Sequence, residues 1–357
     1  MENVKFSIVM PVFNVEKYLK ESVESVLSQD LKPYEVILVD DCSTDKSNKI
    51  ANEIAEKHDN VLVLNLEKNG GLSNARNKGF EYVKGDYVLF LDSDDKVEPS
   101  LLSSIKASLE KNRADVVLFG LVEDYYDKDG NIAKSRVVKA KKDEYLSSAI
   151  DVQRTAIELE RQTLYGYAWN KAYSVAFLKS IAAKFKDVTL IEDITFNVEV
   201  FDKLNSLNII SAPLYHYMRR IDDGNLTSKF LPNYFELNKS RVAMLLAQQK
   251  KWNVCDDNAR RILANILVRY TFSALQRNCD KRAKMNLKSR FCFLKSLYND
   301  KIYKELISYA EGESIIYKIM VFSLKHKFTL LLLLLGRIIF IVKEKLPILF
   351  SLLKAQK

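Results

Sequence analysis

An apolar run that stops on carboxylates constrains this chain more than any other stretch. Tyr87-Val88-Leu89-Phe90-Leu91 reads as a strand buried on both faces, and it ends on Asp92, Asp94 and Asp95, gathered around Ser93. Carboxylates this close repel one another unless something positive lies among them. A hard divalent cation with oxygen ligands, phosphate oxygens among them, is one remedy. A solvated acidic turn that caps a helix is the other. Open α/β sheets bind ligands in the crevice outside the carboxyl ends of their strands, so the position favours the cation.

The flanking pattern is that of such a sheet. Phe6–Val12, Glu35–Val39 (followed by Asp40-Asp41), Val61–Leu64 and Val116–Phe119 read as further strands. Helices are predicted after Asn14, a candidate cap, and over 43–58, 72–83 and 98–111. Strands alternating with helices predict a mostly parallel, Rossmann-like sheet flanked by helices. There is no G-x-G-x-x-G after the first strand and no G-x-x-x-x-G-K-[ST], which argues against a dinucleotide fold and a P-loop. Residues 123–142 read as a polar hairpin or excursion, 144–164 as helix, and Tyr165–Lys171 as an aromatic loop entering a helix. A short strand, Val188–Ile191, is expected to end at Glu192-Asp193, where a helix begins. Pro213–Arg220 alternates like an edge strand. From Asn233 the pattern is helical. This gives a domain over 1–230, with halves 1–120 and 121–230, and a helical region over 231–357.

Charge separates the two regions. Of the net +9, the stretch from Lys325 to the end carries +6, from seven Lys or Arg against the single acid Glu344. A basic tail, rather than a generally basic surface, argues against nucleic acid as a partner. The tail is also very apolar: six leucines, Leu330–Leu335, then Ile338–Val342, with Pro347 before a second segment, Ile348–Leu353. Uninterrupted, it is shorter than the ~20 residues that a spanning helix needs. The expectation is a membrane-associating segment over about 313–357 that lies in the interface, with self-association as the alternative. Four scattered cysteines and an N-terminus without signal-peptide shape suggest a reducing, cytosolic setting.

Four blocks in order now carry a resemblance: Ser7–Asn14, Val39–Asp45, Asn69–Asn77 (NGGLSNARN) and Leu91–Asp95. Together they resemble the family 2 inverting glycosyltransferases of bacterial surface-polysaccharide synthesis, which have a GT-A fold. The likeness covers residues 5 to about 225. It implies transfer of a single sugar from a UDP-sugar to a glycan acceptor, expected to be lipid-linked, by an enzyme expected at the cytoplasmic face of the bacterial cell membrane as a peripheral protein. The Q-x-x-R-W signature of processive synthases is absent.

The resemblance also implies roles. Pro11, Val12 and Asn14 would flank the nucleoside, Asp40 would accept the uracil N3–H, Asp41 would support the loop, and Asn69 would belong with them to the nucleotide-sugar site. Arg76 would lie near the diphosphate or base. Asp92, Ser93 and Asp94 would form the D-x-D. Asp94 and Asp95, with His216, would hold Mn²⁺ or Mg²⁺ and thereby offset the charge of the departing UDP. Glu192-Asp193 resembles the block that carries the general base, with Asp193 as the base and Glu192 in support. Trp169, Asn170 and Lys171, with Arg219 and Arg220, resemble the acceptor side, followed by a flexible stretch, Ile221–Ser228. Two other classes stay open on the residues alone: a nucleotidyltransferase, and a non-catalytic nucleotide-sugar binder.

Overall fold

A computed structural model describes residues 4–127, 129–188, 190–220, 230–312 and 314–345. The chain divides into two units, residues 1–223 and 224–357, where the sequence suggested 230/231. The expected flexible stretch Ile221–Ser228, Pro347 and Ile348–Leu353 lie outside the described residues.

The first unit begins β1 (Phe6–Val12), α1 (Leu19–Leu27), β2 (Glu35–Asp40), α2 (Ser47–Ala55), β3 (Val61–Asn65), α3 (Gly71–Glu81) and β4 (Tyr87–Phe90). It continues β5 (Lys96–Val97), α4 (Leu101–Lys111), β6 (Val116–Tyr126), β7 (Ile132–Val138), β8 (Glu144–Leu146) and α5 (Ala149–Arg161). It ends β9 (Lys171–Ser174), α6 (Val175–Ser180), α7 (Glu192–Phe201) and β10 (Leu207–Arg219). One sheet joins all ten strands, in the order β3-β2-β1-β4-β9-β6-β10-β5, with β7 beside β6 and β8 beside β10.

The sheet is parallel across β3-β2-β1-β4. Beyond β4 it becomes mixed, because β9 enters antiparallel between β4 and β6. Every residue of β1 and β4 is buried, as expected for strands covered on both faces. α1 covers the sheet with Leu19, Val23 and Val26, spaced i, i+4 and i+7. α3 comes closer still: a Cβ on Gly79 would stand 2.4 Å from Val9 Cγ1, so only glycine fits there.

Several local expectations are corrected. β10 is internal, paired with β6, β5 and β8, and Pro213 sits at a register shift where its missing N–H breaks no ladder bond. Val188, Leu190 and Ile191 form no strand; Leu190 takes a left-handed φ of 70° in a turn, and Thr189 lies outside the described residues. The stretch 144–164 is strand then helix, because Ser148 accepts a hydrogen bond from the Asp151 N–H and starts α5 only there. The aromatic loop leads into β9, not a helix. Asn14 is no helix cap; it sits at φ 54° and α1 begins at Leu19.

The second unit is helical: α8 (Tyr234–Lys251), α9 (Asp257–Arg277), α10 (Leu287–Asn299), α11 (Lys301–Leu306), α12 (Ile315–Lys325) and α13 (Thr329–Lys345). α9 supplies its core with Ile262, Leu263, Ile266, Leu267 and Leu275.

Candidate active site

Three parallel strands end side by side, and their ends are tied to one another. Ser93 Oγ donates to the Pro11 carbonyl at 2.6 Å, and the Asp41 N–H donates to the Val12 carbonyl at 2.9 Å. Pro11 and Val12 therefore contribute backbone to the floor of this edge, their side chains being buried. The loop after β1 turns through Asn14, whose N–H donates to Ser43 Oγ and whose side-chain oxygen accepts from the Thr44 N–H at 2.8 Å. Cys42 is left-handed as well, at φ 62°. The bonds from Asn14 to Ser43 and Thr44 tie the loop that follows β1 to the loop that follows β2.

The adjacent aspartates divide their work. Asp41 accepts from the Gly70 and Gly71 N–H groups at 2.8 and 2.7 Å and so pins the start of α3, while Asn69 Nδ2 donates to the Asp41 carbonyl. Gly71 is at φ 81°, which suits glycine. Asp40 is buried; its Oδ2 accepts from the Ser43 N–H and Asn48 Nδ2, whereas its Oδ1 has no partner among the described residues. A buried carboxylate oxygen left without a donor is costly unless a ligand supplies one.

The acidic cluster is organised by a residue beneath it. Arg76, on α3, is only 1% exposed. Its Nη2 donates to Asp92 Oδ1 at 2.8 Å and its Nη1 to Asp193 Oδ1 on α7. Arg76 thus joins the end of β4 to the start of α7. Burial alone would lower its pKa, but Asp193 and Asp92 more than offset this and hold it charged. Phe185 lies under the guanidinium, 5.1 Å from it, and stacks on Phe196 at 3.9 Å. Asp193 Oδ2 accepts from the Ala168 N–H at 3.0 Å. Arg76 is not a solvated helix residue: its Nη1 and Nη2 are engaged by the two carboxylates, while its buried Nε has no partner among the described residues.

Negative charge remains in excess around this clamp. Desolvation pushes Asp92 up to about 6 against the pull of Arg76, with Asp94 and Asp193 adding to the rise. Burial and then the charge of Asp193 push Glu192 up to about 7. Asp95 is pushed well up by burial, then by Asp94 and Asp92, and its oxygens accept from the Tyr215 hydroxyl and the Met218 N–H, both at 2.7 Å. Arg220 reaches the same loop: Nη1 donates to the Asp94 carbonyl at 2.9 Å while the guanidinium lies 3.8 Å from the Tyr18 ring centre.

The expected ligand set of Asp94, Asp95 and His216 is not assembled. Tyr215 points to Asp95, so strand alternation sends His216 to the other face of the sheet. There its Nδ1 meets Asp124 at 2.8 Å and its Nε2 meets Glu98 at 2.7 Å. Burial opposes protonation, but these carboxylates prevail and raise its pKa. Among the described residues no three His, Cys, Asp or Glu side chains are grouped to hold a metal. What remains for a cation is Asp94 with Asp92, an all-oxygen pair whose shell phosphate oxygens would complete. The excess negative charge fits that chemistry.

The acceptor-side block is also corrected, because these residues are core. Trp169 is 3% exposed and stacked on both faces, 4.4 Å from Tyr167 and 4.2 Å from Tyr215, so neither face is open to a sugar. Asn170 Nδ2 donates to the Leu164 carbonyl at 3.0 Å. Lys171 Nζ, fully buried, donates to the carbonyls of Leu164, Tyr165 and Tyr167 and to Asn170 Oδ1, and burial lowers its pKa to about 7. Together they shape the loop whose Ala168 N–H holds Asp193. Arg219 pairs with Glu123 at 2.9 Å and lies over Tyr217, leaving Arg220 as the arginine beside the D-x-D. The sequence carried no signal for the Ala168 N–H, a backbone group, or for Tyr18, whose ring lies against Arg220.

Comparison with known proteins places this architecture. Residues 7–181 match the family model described as Glycosyl transferase family 2. The chain is 29% identical over 217 residues to an uncharacterized glycosyltransferase, EpsJ, of Bacillus subtilis, covering 59% of this chain and 60% of that protein. It is 39% identical over 125 residues to the glycosyltransferase GlyG of Streptococcus pneumoniae, covering 35% of this chain and 41% of that one. It is 28% identical over 232 residues to the poly(ribitol-phosphate) beta-N-acetylglucosaminyltransferase TarS of Staphylococcus aureus, 64% of this chain and 38% of that protein. The matches thus span less than two thirds of these relatives. The crystal structure of S. aureus TarS 1–349 in complex with UDP-GlcNAc superposes with a TM-score of 0.63 at 21% identity, over 96% of this chain and 91% of that one. That likeness establishes the fold, a GT-A sheet followed by a helical region.

Proposed function

We propose, from the match of residues 7–181 to the family model of glycosyl transferase family 2 and from the acidic cluster at the strand ends, that this chain transfers a single sugar from a UDP-sugar to a glycan acceptor of a bacterial cell-surface polymer, with inversion. The observation that carries the reading is the Arg76 clamp. It puts Asp92, on the side where a diphosphate would bind, and Asp193, on the side where an acceptor would enter, on one guanidinium. An inverting transfer needs a leaving-group side and a base side at one sugar. UDP as the nucleotide is supported by the unpartnered Asp40 Oδ1, an acceptor suited to the uracil N3–H, and by the UDP-GlcNAc and UDP bound in the TarS structures.

Asp193 keeps a lone pair on each oxygen beyond the Arg76 and Ala168 bonds, and with one of them takes the proton of the acceptor hydroxyl as that oxygen attacks the anomeric carbon. The bond from that carbon to the diphosphate breaks, its electrons leave with UDP, and the proton on Asp193 passes to water. A divalent cation held by Asp94 and Asp92 would supply positive charge to the departing diphosphate. Arg220, at the Asp94 carbonyl, is placed to add to it. The acceptor is lipid-linked in this reading.

A panel of UDP-sugars with Mn²⁺, followed by UDP release with and without EDTA, tests the proposal. Release is expected from one hexose or N-acetylhexosamine donor, lost with EDTA and in Asp193→Asn while UDP binding survives the substitution. Silence with every donor, or full activity in Asp193→Asn, refutes it.

A further inference from the structure

The second unit exposes two apolar helix faces that the transfer chemistry does not use. α12 buries Val321, Ser323 and Leu324 and exposes Ile315, Ile316, Ile319 and Phe322, one stripe at helical spacing. α13 buries Leu332 and Gly336 and exposes Leu330, Leu334, Ile338 and Ile341, a second stripe. Leu330 is 74% exposed and Ile315 78%, far from what a soluble surface needs of its leucines and isoleucines. The inward side of α13 is fixed by close packing: a Cβ on Gly336 would lie 2.9 Å from Leu275 Cβ of α9. Phe322 and Phe328 join the stripes at the turn between the helices, with ring centres 5.6 Å apart.

Cations surround this face. Lys318, Lys325, Lys327 and Lys345 are exposed, Lys343 lies on the packed side of α13 towards Arg277 and Asp280, and Glu344 is the one acid between residues 315 and 345. Arg337 rises from the α13 stripe itself, four residues before Ile341, where a long side chain keeps its charge at headgroup depth while its stem lies in the apolar layer. Among the described residues no helix is long and apolar enough to cross a membrane. An apolar face with cations on and around it matches one occupant in both respects, a bilayer surface bearing anionic lipid. A second copy of this face would bury like charges against each other.

We propose that α12 and α13 together form an interfacial docking surface for an anionic lipid bilayer, the apolar stripes entering the headgroup boundary and the basic residues meeting lipid phosphates. It rests on the lipid-linked-acceptor reading for its purpose only. The full chain is floated with phosphatidylcholine vesicles, with or without about a third phosphatidylglycerol. Wild type should float with the anionic vesicles and not the neutral ones, and less so as salt shortens the screening length from about 10 Å to about 3 Å. The double substitutions Leu334→Glu with Ile338→Glu, and Lys325→Glu with Lys327→Glu, should each lower partitioning by about tenfold or more and leave UDP binding and UDP release unchanged. All four positions are exposed, so the variants should fold. Unchanged flotation of both variants, no flotation of wild type, or a stable dimer broken by Leu334→Glu without vesicle binding overturns the proposal. Flotation that persists while every donor fails sinks the transfer reading alone.

Discussion

Removing the Arg76 charge should move the pH dependence of the reaction and leave nucleotide affinity nearly intact. In Arg76→Gln, Asp92, Asp193 and Glu192 stay together without their shared cation. Arg76 lowers both the Asp92 carboxyl, at about 6, and the Glu192 carboxyl, at about 7. An opposite charge this close is worth about 1–3 pKa units, so Asp92 and Glu192 should titrate higher in the variant by up to that much. The base must be ionised to act and Arg76 is its partner, so the acid limb of kcat/KM should shift upward, by up to about 1–3 units. Breaking a buried pair costs about 3–5 kcal/mol when one partner is removed. Asp92 and Asp193 remain 25% and 17% exposed at their side chains, and water can reach them, so the lower end applies. UDP release across pH 5–9, isothermal titration with UDP, and urea denaturation check the three parts. An unshifted acid limb would falsify the clamp. A rise in KM with kcat unchanged would show that Arg76 touches the nucleotide instead, and Arg76→Lys should restore charge without the fork and recover the limb only in part.

Three further outcomes follow from named groups. Asp40→Ala should weaken UDP binding by roughly tenfold to a hundredfold, a charged hydrogen bond's share, and reduce discrimination against nucleotides without a donor at that position, read by titration calorimetry. Lys171→Met should destabilise the first unit by about 3–5 kcal/mol, because three carbonyls lose their donor, while acceptor KM stays unchanged in the folded fraction. Glu192 holds its proton more tightly folded, at about 7, than at its ordinary 4.5, so this site costs nothing below about pH 4.5 and its cost grows as pH rises to about 7. Glu192→Gln should therefore be more stable than wild type at pH 8, by up to about 3 kcal/mol, and equal at pH 4; a constant difference across pH contradicts the assignment.

What could be read from the sequence was whatever chemistry announces locally. Buried strands are continuous apolar runs, so β1, β2 and β4 were legible, and so was the acidic stop after β4. Partners brought together from a distance were not. Arg76 meets Asp193 across 117 positions, and His216 meets Glu98 across 118, and no local pattern encodes either pairing. Trp169 and Lys171 were misplaced for a related reason. An aromatic beside an amide and a cation reads as a binding surface until the carbonyls that wrap the ammonium are seen, and those belong to a loop whose path is set by β9 entering the sheet antiparallel. The same insertion decides the site. It carries the Ala168 N–H to Asp193 and seals Trp169 against Tyr215, whose hydroxyl holds Asp95. The acidic stop thus gains its geometry from buried residues around it: Arg76 below, Lys171 behind and Tyr215 beside it. Changes to these should alter when the carboxylates ionise and whether the loop holds, and changes to Asp40 should alter what binds.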